Sequence, residues 1–114
     1  MKVENRVKSH QDFQKVIKEK KTVSNRIYVL YFKKNELNHS RVGISASKKL
    51  GNAVTRNKIR RQVRVISKSV IDFNYPIDYC VIVRKQFLNE TFETNKKELS
   101  ILADKALRRI KNEN

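Results

Sequence analysis

The sequence predicts an α+β fold in which helices pack on one small sheet. Three segments carry apolar residues at helical spacing, and others carry alternating or continuous runs rich in β-branched residues. The two kinds interleave along the chain with no internal repeat or low-complexity linker. With 114 residues and 39% hydrophobic content, the chain is expected to form one core and a single domain over 1–114.

Ser9-His10-Gln11-Asp12 resembles a capping box with Asp in place of Glu. Phe13, Val16 and Ile17 follow at helical spacing, so a first helix is predicted over roughly 9–20. Residues 25–34 read as a strand that is apolar on both faces, Ile27, Val29 and Tyr31 on one and Tyr28, Leu30 and Phe32 on the other, so both need cover. The polar stretch 35–40 is short enough for a hairpin-type link to a strand over 41–47. There Val42, Ile44 and Ala46 form an apolar row. Arg41, Gly43, Ser45 and Ser47 form a row of small or polar groups, an open surface that a ligand can approach closely. Tyr31 beside Ser45 and Ser47 would make an aromatic-walled trough.

Gly51-Asn52 breaks the strand pattern, and Asn52 is suited to cap a helix reaching about Ile71. Ile59, Val63, Ile66 and Val70 give that helix one apolar stripe, with Asn57, Arg61, Arg64 and Lys68 opposite and Arg56 and Arg60 on the flank. Tyr75-Pro76 marks a turn, and residues 78–84 read as a largely buried strand. Residues 91–95 open a final helix striped by Leu99, Leu102, Ala103, Ala106, Leu107 and Ile110. Strand, long helix and strand in succession make a possible βαβ unit, so at least one parallel pair is expected.

The formal net charge is +16, from 27 Lys+Arg against 11 Asp+Glu, and an anionic partner is the simplest way to neutralise it. The imbalance is concentrated. From Leu37 to Ile71 there is no Asp or Glu, yet the stretch holds Arg41, Lys48, Lys49, Arg56, Lys58, Arg60, Arg61, Arg64 and Lys68. Without acids for i,i+4 pairing, a cationic helix beginning at a Gly-Asn turn combines Lys and Arg side chains with the free N–H groups of a helix N-terminus. Both suit phosphate. Phe13, Tyr28, Tyr31 and Phe32 are the rings that could stack bases, although core packing also accounts for them.

Catalytic patterns are absent. His10 and His39 stand apart in polar segments, no nucleophile-elbow, zincin or Walker pattern occurs, and two glycines cannot build a phosphate cradle. Cys80, alone in an apolar run, reads as a small buried hydrophobe, so no intrachain disulfide is expected. With no apolar run of 18 residues and no signal-peptide pattern, a soluble, cytoplasmic protein is expected.

Over nearly the whole chain these residues resemble one family. The resemblance runs from Asp12-Phe13-Gln14-Lys15-Val16 through Asn25-Arg26 and Arg41-Val42-Gly43-Ile44-Ser45-Ala46. It is strongest in Ser47-Lys48-Lys49-Leu50-Gly51-Asn52-Ala53-Val54-Thr55-Arg56-Asn57-Lys58-Ile59-Arg60-Arg61. The family is the protein subunit of bacterial ribonuclease P, the ribonucleoprotein that removes 5′ leaders from precursor tRNA. The resemblance implies an αβββαβα two-layer sandwich with a left-handed βαβ crossover, a small mixed sheet of about four strands, and a further short strand near 22–25. It implies that Arg56, Asn57, Lys58, Arg60, Arg61 and Arg64 contact the catalytic RNA, and Lys48 and Lys49 of the same basic run are expected to join them. It also implies that a cleft between the first helix and the sheet, with Phe13, Ile17 and Tyr31, binds the precursor's leader, and the small-residue strand around Ser45 and Ser47 is expected to floor it. The chemistry would belong to the RNA with its Mg²⁺; the protein would hold no metal, supply no catalytic residue and require no protein partner. Lys58 stands where the family often has a second Arg, keeping the charge without the planar fork, and Ile17 stands where some relatives carry a ring.

Charge and element order alone also fit a general RNA-binding module such as a ribosomal protein. A helix-turn-helix DNA binder fits the basic helix but not the flanking strands. A self-sufficient nuclease would cleave RNA in Mg²⁺ without an RNA partner.

Overall fold

The computed structural model describes residues 5–7 and 9–113. The elements are α1 (His10–Lys18), β1 (Thr22–Ser24), β2 (Tyr28–Lys34), β3 (Arg41–Ser45), α2 (Ala53–Val70), β4 (Ile77–Val83) and α3 (Phe92–Lys111), with 3-10 turns at Lys48–Leu50 and Lys85–Asn89. The order is αβββαβα, and the short strand implied near 22–25 is present. Each helix begins at a side-chain cap. Ser9 Oγ accepts from Asp12 N at 3.0 Å, Asn52 Oδ1 from Thr55 N at 3.0 Å and Thr91 Oγ1 from Thr94 N at 3.1 Å. Each cap satisfies a backbone donor that the helix leaves unpaired, worth about 1 kcal/mol.

The sheet order is β1-β2-β4-β3, with β1/β2 and β2/β4 antiparallel and β3/β4 parallel. The expected parallel pair is therefore β3 with β4, joined through α2. The hairpin-type adjacency of the strands around 25–34 and 41–47 is corrected, because β4 lies between them. The physical reason is burial. Ile77, Tyr79, Cys80, Val81 and Val83 are all buried, so this strand is apolar on both faces and takes a central place. Loop 35–40 turns toward β4 as well, with Asn35 N donating to Pro76 O at 3.0 Å and Ser40 N to Phe73 O at 2.9 Å.

One sheet face carries the main core. Tyr28, Leu30 and Phe32 of β2, Tyr79 and Val81 of β4 and Val42 of β3 meet Ile59, Val63 and Ile66 of α2 and Leu99, Leu102, Ala106 and Ile110 of α3. Each such side chain contributes about 1.5–3 kcal/mol by leaving water. The stripes predicted for α2 and α3 are the buried ones, although Val70 and Leu107 are only half-buried and Ser67 joins the α2 stripe.

The other face is ordered by register into three cross-strand rows: Lys33-Asp78-Arg41, Tyr31-Cys80-Gly43 and Val29-Ile82-Ser45. Helix α1 contacts this face at β2 and β4. Cys80 and Gly43 in the middle row are buried, whereas Val29, Ile82 and Ser45 in the third are half-buried. The second face of β2 is thus only partly covered, where full cover was expected. Burial pushes the Cys80 thiol up to about 12, helped by Asp78 and opposed by Arg41, so it packs as an inert apolar group.

Candidate nucleic-acid interface

Helix α1 is tied to the sheet by charge at one point and by ring contact at another. Arg41 donates to Asp78 through Nε at 2.9 Å and Nη2 at 2.6 Å, and its Nη1 lies 3.4 Å from Asp12 Oδ2 on α1. Asp78, through its hydrogen bond first, raises the Arg41 pKa. Arg41 is therefore committed to carboxylates and leaves the set of unpaired cations in which the sequence placed it. Beside it, the Phe13 ring lies on Gly43, where a Cβ would sit 3.0 Å from Phe13 Cδ2 and 3.1 Å from Val7 Cβ. Gly43 is needed for this approach and not for its backbone angles. Gly43→Ala is expected to push Phe13 outward and cost about 1–2 kcal/mol, readable as a lowered denaturation midpoint; an unchanged midpoint would show that the ring shifts freely.

Between α1 and the end of β3 runs a cleft of about 450 Å³, walled by His10, Phe13 and Gln14 on one side and by Ile44, Ser45 and Ala46 on the other. Val7, Ser9 and Arg60 complete its lining. Its surface is mostly neutral, small on the strand side and aromatic on the helix side. Arg60 brings in the charge.

The basic face of α2 adjoins this cleft. Arg56 Nε donates to Ala46 O at 3.1 Å, Arg60 Nη2 reaches the same carbonyl at 3.4 Å, and Arg60 Nη1 donates to Asn57 Oδ1 at 3.0 Å. The last carbonyl of the strand region is thereby gripped by the helix flank. A guanidinium has five donors, so most of each fork stays available for a ligand. Asn57, Lys58, Arg61 and Lys68 are exposed, as are Lys48 and Lys49 in the preceding turn. None of these cations, nor Arg56, Arg60 or Arg64, forms an ion pair among the described residues. Arg64 has its pKa lowered by partial burial and then by Arg6 and Arg60. Arg6 and Arg60 thus crowd Arg64 with like charge, and a phosphate beside it would relieve that repulsion.

Of the residues expected in a leader-binding cleft, Phe13 and Ser45 line this one, whereas Ile17, Tyr31 and Ser47 do not. Tyr31 shares a row with Gly43, but Cys80 stands between them, which puts Tyr31 about 10 Å from β3. The trough imagined between adjacent strands is corrected accordingly: its aromatic wall is Phe13. Ile17 is half-buried one turn further along α1, and Ser47 is exposed beyond the end of β3. The proposed RNA-contacting set, Lys48, Lys49, Arg56, Asn57, Lys58, Arg60, Arg61 and Arg64, falls on α2 and the turn leading into it.

Sequence reasoning missed Arg6, His10, Gln14 and Ile44. Arg6 pairs with Val42 as an isolated parallel bridge, and its charge near Arg64 carries no periodic signal. His10 and Gln14 stand four apart on the same helix, next to Phe13, and were recoverable from the predicted helix. Among the described residues no group of three or more His, Cys, Asp or Glu could hold a metal ion, so the described side chains alone form no Mg²⁺ cage. No described helix is long and apolar enough to cross a membrane.

Comparison with known proteins agrees with this architecture. A family model described as Ribonuclease P matches residues 1–107. The ribonuclease P protein component of Mesoplasma florum is 39% identical over 106 residues, covering 90% of this chain and 94% of that one. Its counterpart in Streptococcus agalactiae is 43% identical over 99 residues, covering 87% and 91%. The solved Staphylococcus aureus RNase P protein superposes with a TM-score of 0.78 at 40% identity, covering 90% of this chain and 94% of its own. The Thermotoga maritima protein gives 0.74 at 36% identity, covering 87% and 96%.

Proposed function

This chain belongs to the bacterial ribonuclease P protein family, and so is a subunit of the endoribonuclease of tRNA 5′ maturation and a partner of ribonuclease P RNA; on that premise we propose a division of labour between its two surfaces. The α1–β3 cleft binds the 5′ leader of precursor tRNA, and the basic face of α2 docks on the RNA subunit. The observation that carries this reading is Arg60, which lines the cleft and at the same time belongs to the unpaired cationic face. One continuous surface can then hold substrate and RNA partner together.

The roles follow from the chemistry of each part. Small groups at Ser45 and Ala46 let an extended strand of RNA lie close to the backbone, and Phe13 offers a face on which a base can stack, worth about 1–3 kcal/mol. Mature tRNA lacks the leader, so contacts in the cleft favour precursor over product. Unpaired Lys and Arg offset phosphate repulsion where the two RNAs converge. The hydrolysis itself, with its Mg²⁺, is assigned to the RNA partner.

The test is equilibrium binding of precursor and mature tRNA to the reconstituted holoenzyme. Phe13→Ala should weaken precursor binding by about tenfold, the value of one stacked base, and leave mature tRNA unchanged. Equal losses for the two tRNAs would overturn the cleft assignment.

A further inference from the structure

A second pocket lies on the far side of α2, and the proposed function leaves it unused. It has a volume of about 460 Å³, within the range of small-ligand sites, and lies between the first turns of α2, the Lys85–Asn89 turn and the start of α3. Phe87 and Ile59 are buried in its wall, and Val54 and Leu88 line it while standing 78% and 49% exposed. Such aliphatic groups, open to water around an apolar interior, can hold a flat ring by its faces.

The polar groups narrow the occupant. Asn95 is only 2% exposed and lines the pocket. Its Nδ2 donates to Phe87 O at 3.1 Å and its main-chain carbonyl accepts from Tyr28 Oη at 2.9 Å, but its side-chain oxygen has no partner. A buried acceptor without a donor is uncommon and marks a place where a donor belongs. Because Nδ2 is committed to a carbonyl, the amide cannot flip to hide the oxygen. Glu90, also in the lining, accepts from Gln86 Nε2 at 2.6 Å and has a second carboxylate oxygen to offer. Two acceptors carried by lining residues, the Glu90 carboxylate and the buried Asn95 amide oxygen, disfavour a phosphate and favour an amino group. Lys58, in the lining on the α2 side, supplies the cation for a phosphate outside it.

We propose that this pocket receives one unstacked, amino-bearing nucleobase of the RNA partner, its N–H donating to Asn95 Oδ1 and its phosphate lying against Lys58. The occupant is RNA because the pocket shares Lys58 with the unpaired cationic face of α2 and is continuous with it. The inference rests on the docking of that face to ribonuclease P RNA and adds a base-specific contact to one that is otherwise made to phosphates.

Replacing Asn95 risks unfolding α3, so the test blocks the pocket from its exposed lining with Val54→Trp. Melting temperature is measured in parallel to show that the variant folds. Reconstituted complexes are probed with dimethyl sulfate for base edges and with hydroxyl radicals for the RNA backbone. The expected result is one unpaired adenine or cytosine protected in the unaltered complex and re-exposed in the variant, with backbone protection retained and affinity lowered about tenfold. A pattern of protected bases unchanged by Val54→Trp, which would leave water as the partner of Asn95, overturns the proposal. So does a uniform weakening of the whole footprint. Absence of any protein-dependent backbone protection in the unaltered complex would instead overturn the docking of α2 on which the proposal rests.

Discussion

Replacing Asp78 by alanine is expected to lower stability by about 3 kcal/mol and the melting temperature by roughly 10–15 °C. Asp78 is 5% exposed and accepts three hydrogen bonds, two from Arg41 and one from Asn35 Nδ2 at 2.8 Å. Removing the carboxylate leaves Arg41, itself largely covered, with only Asp12 at 3.4 Å. Arginine cannot escape by losing its proton, so the charge stays and goes uncompensated. The damage should be local in origin but wide in effect, because Arg41 and Asp78 are register partners that join β3 to β4, and Asp12 ties α1 to both. Changing Arg41 to Met together with Asp78 to Leu should cost much less than Asp78→Ala alone, since it removes both charges. Urea denaturation of the three proteins decides the matter; a loss below about 1 kcal/mol for Asp78→Ala would mean that water takes over the guanidinium.

The second large effect is on RNA binding. Changing Arg60, Arg61 and Arg64 together to Gln is expected to weaken binding to the RNA subunit on the order of a hundredfold at 0.1 M salt. With about six phosphates contacted, the slope of log K against log salt lies near −4, and the triple variant should bring it to about −2. Stability should not fall in step. Arg64 is strained electrostatically by Arg6 and Arg60, so neutralisation relieves repulsion, and Arg56 still holds the Ala46 carbonyl. A protein whose affinity and melting temperature dropped together would show that these arginines serve the fold. A salt slope unmoved by the substitutions would show that they do not meet phosphate.

The helices were largely legible in the sequence because their signals are local. Ser9, Asn52 and Thr91 cap helices near the predicted positions, and the buried stripe of α2 is the one that spacing picks out. The strand order was not legible, because it depends on which strand best tolerates burial on both faces and on pairs distant in sequence. The link 35–40 reads as a hairpin only if nothing competes for β2. Ile77–Val83 does compete, and Arg41 with Asp78, 37 residues apart, brings β3 to it. The same blindness made Arg41 look unpaired and set Tyr31 beside the strand of Ser45 and Ser47. Phe13 does face the sheet, as its place on the apolar stripe of α1 implied, because that depends on one helix face and one glycine. Asn95 gave no signal at all, since an unpaired oxygen is a property of the finished packing.

The position of β4 also dictates when the molecule can assemble during synthesis. β4 bonds to both β2 and β3, yet it is the last strand to be made, and α2 emerges before it. A chain stopped at Pro76 has only the short β1–β2 pairing available, with β3 and the apolar stripe of α2 left unsupported. Limited proteolysis of such a truncated chain should cut it readily within α2, whereas protection there would show that the helix stands without its sheet. Closure around β4 is a long-range event, the slow kind in folding. On that expectation the cationic helix leaves the ribosome as a loose polybasic segment, and its basic face becomes a rigid surface only when the middle of the sheet is filled.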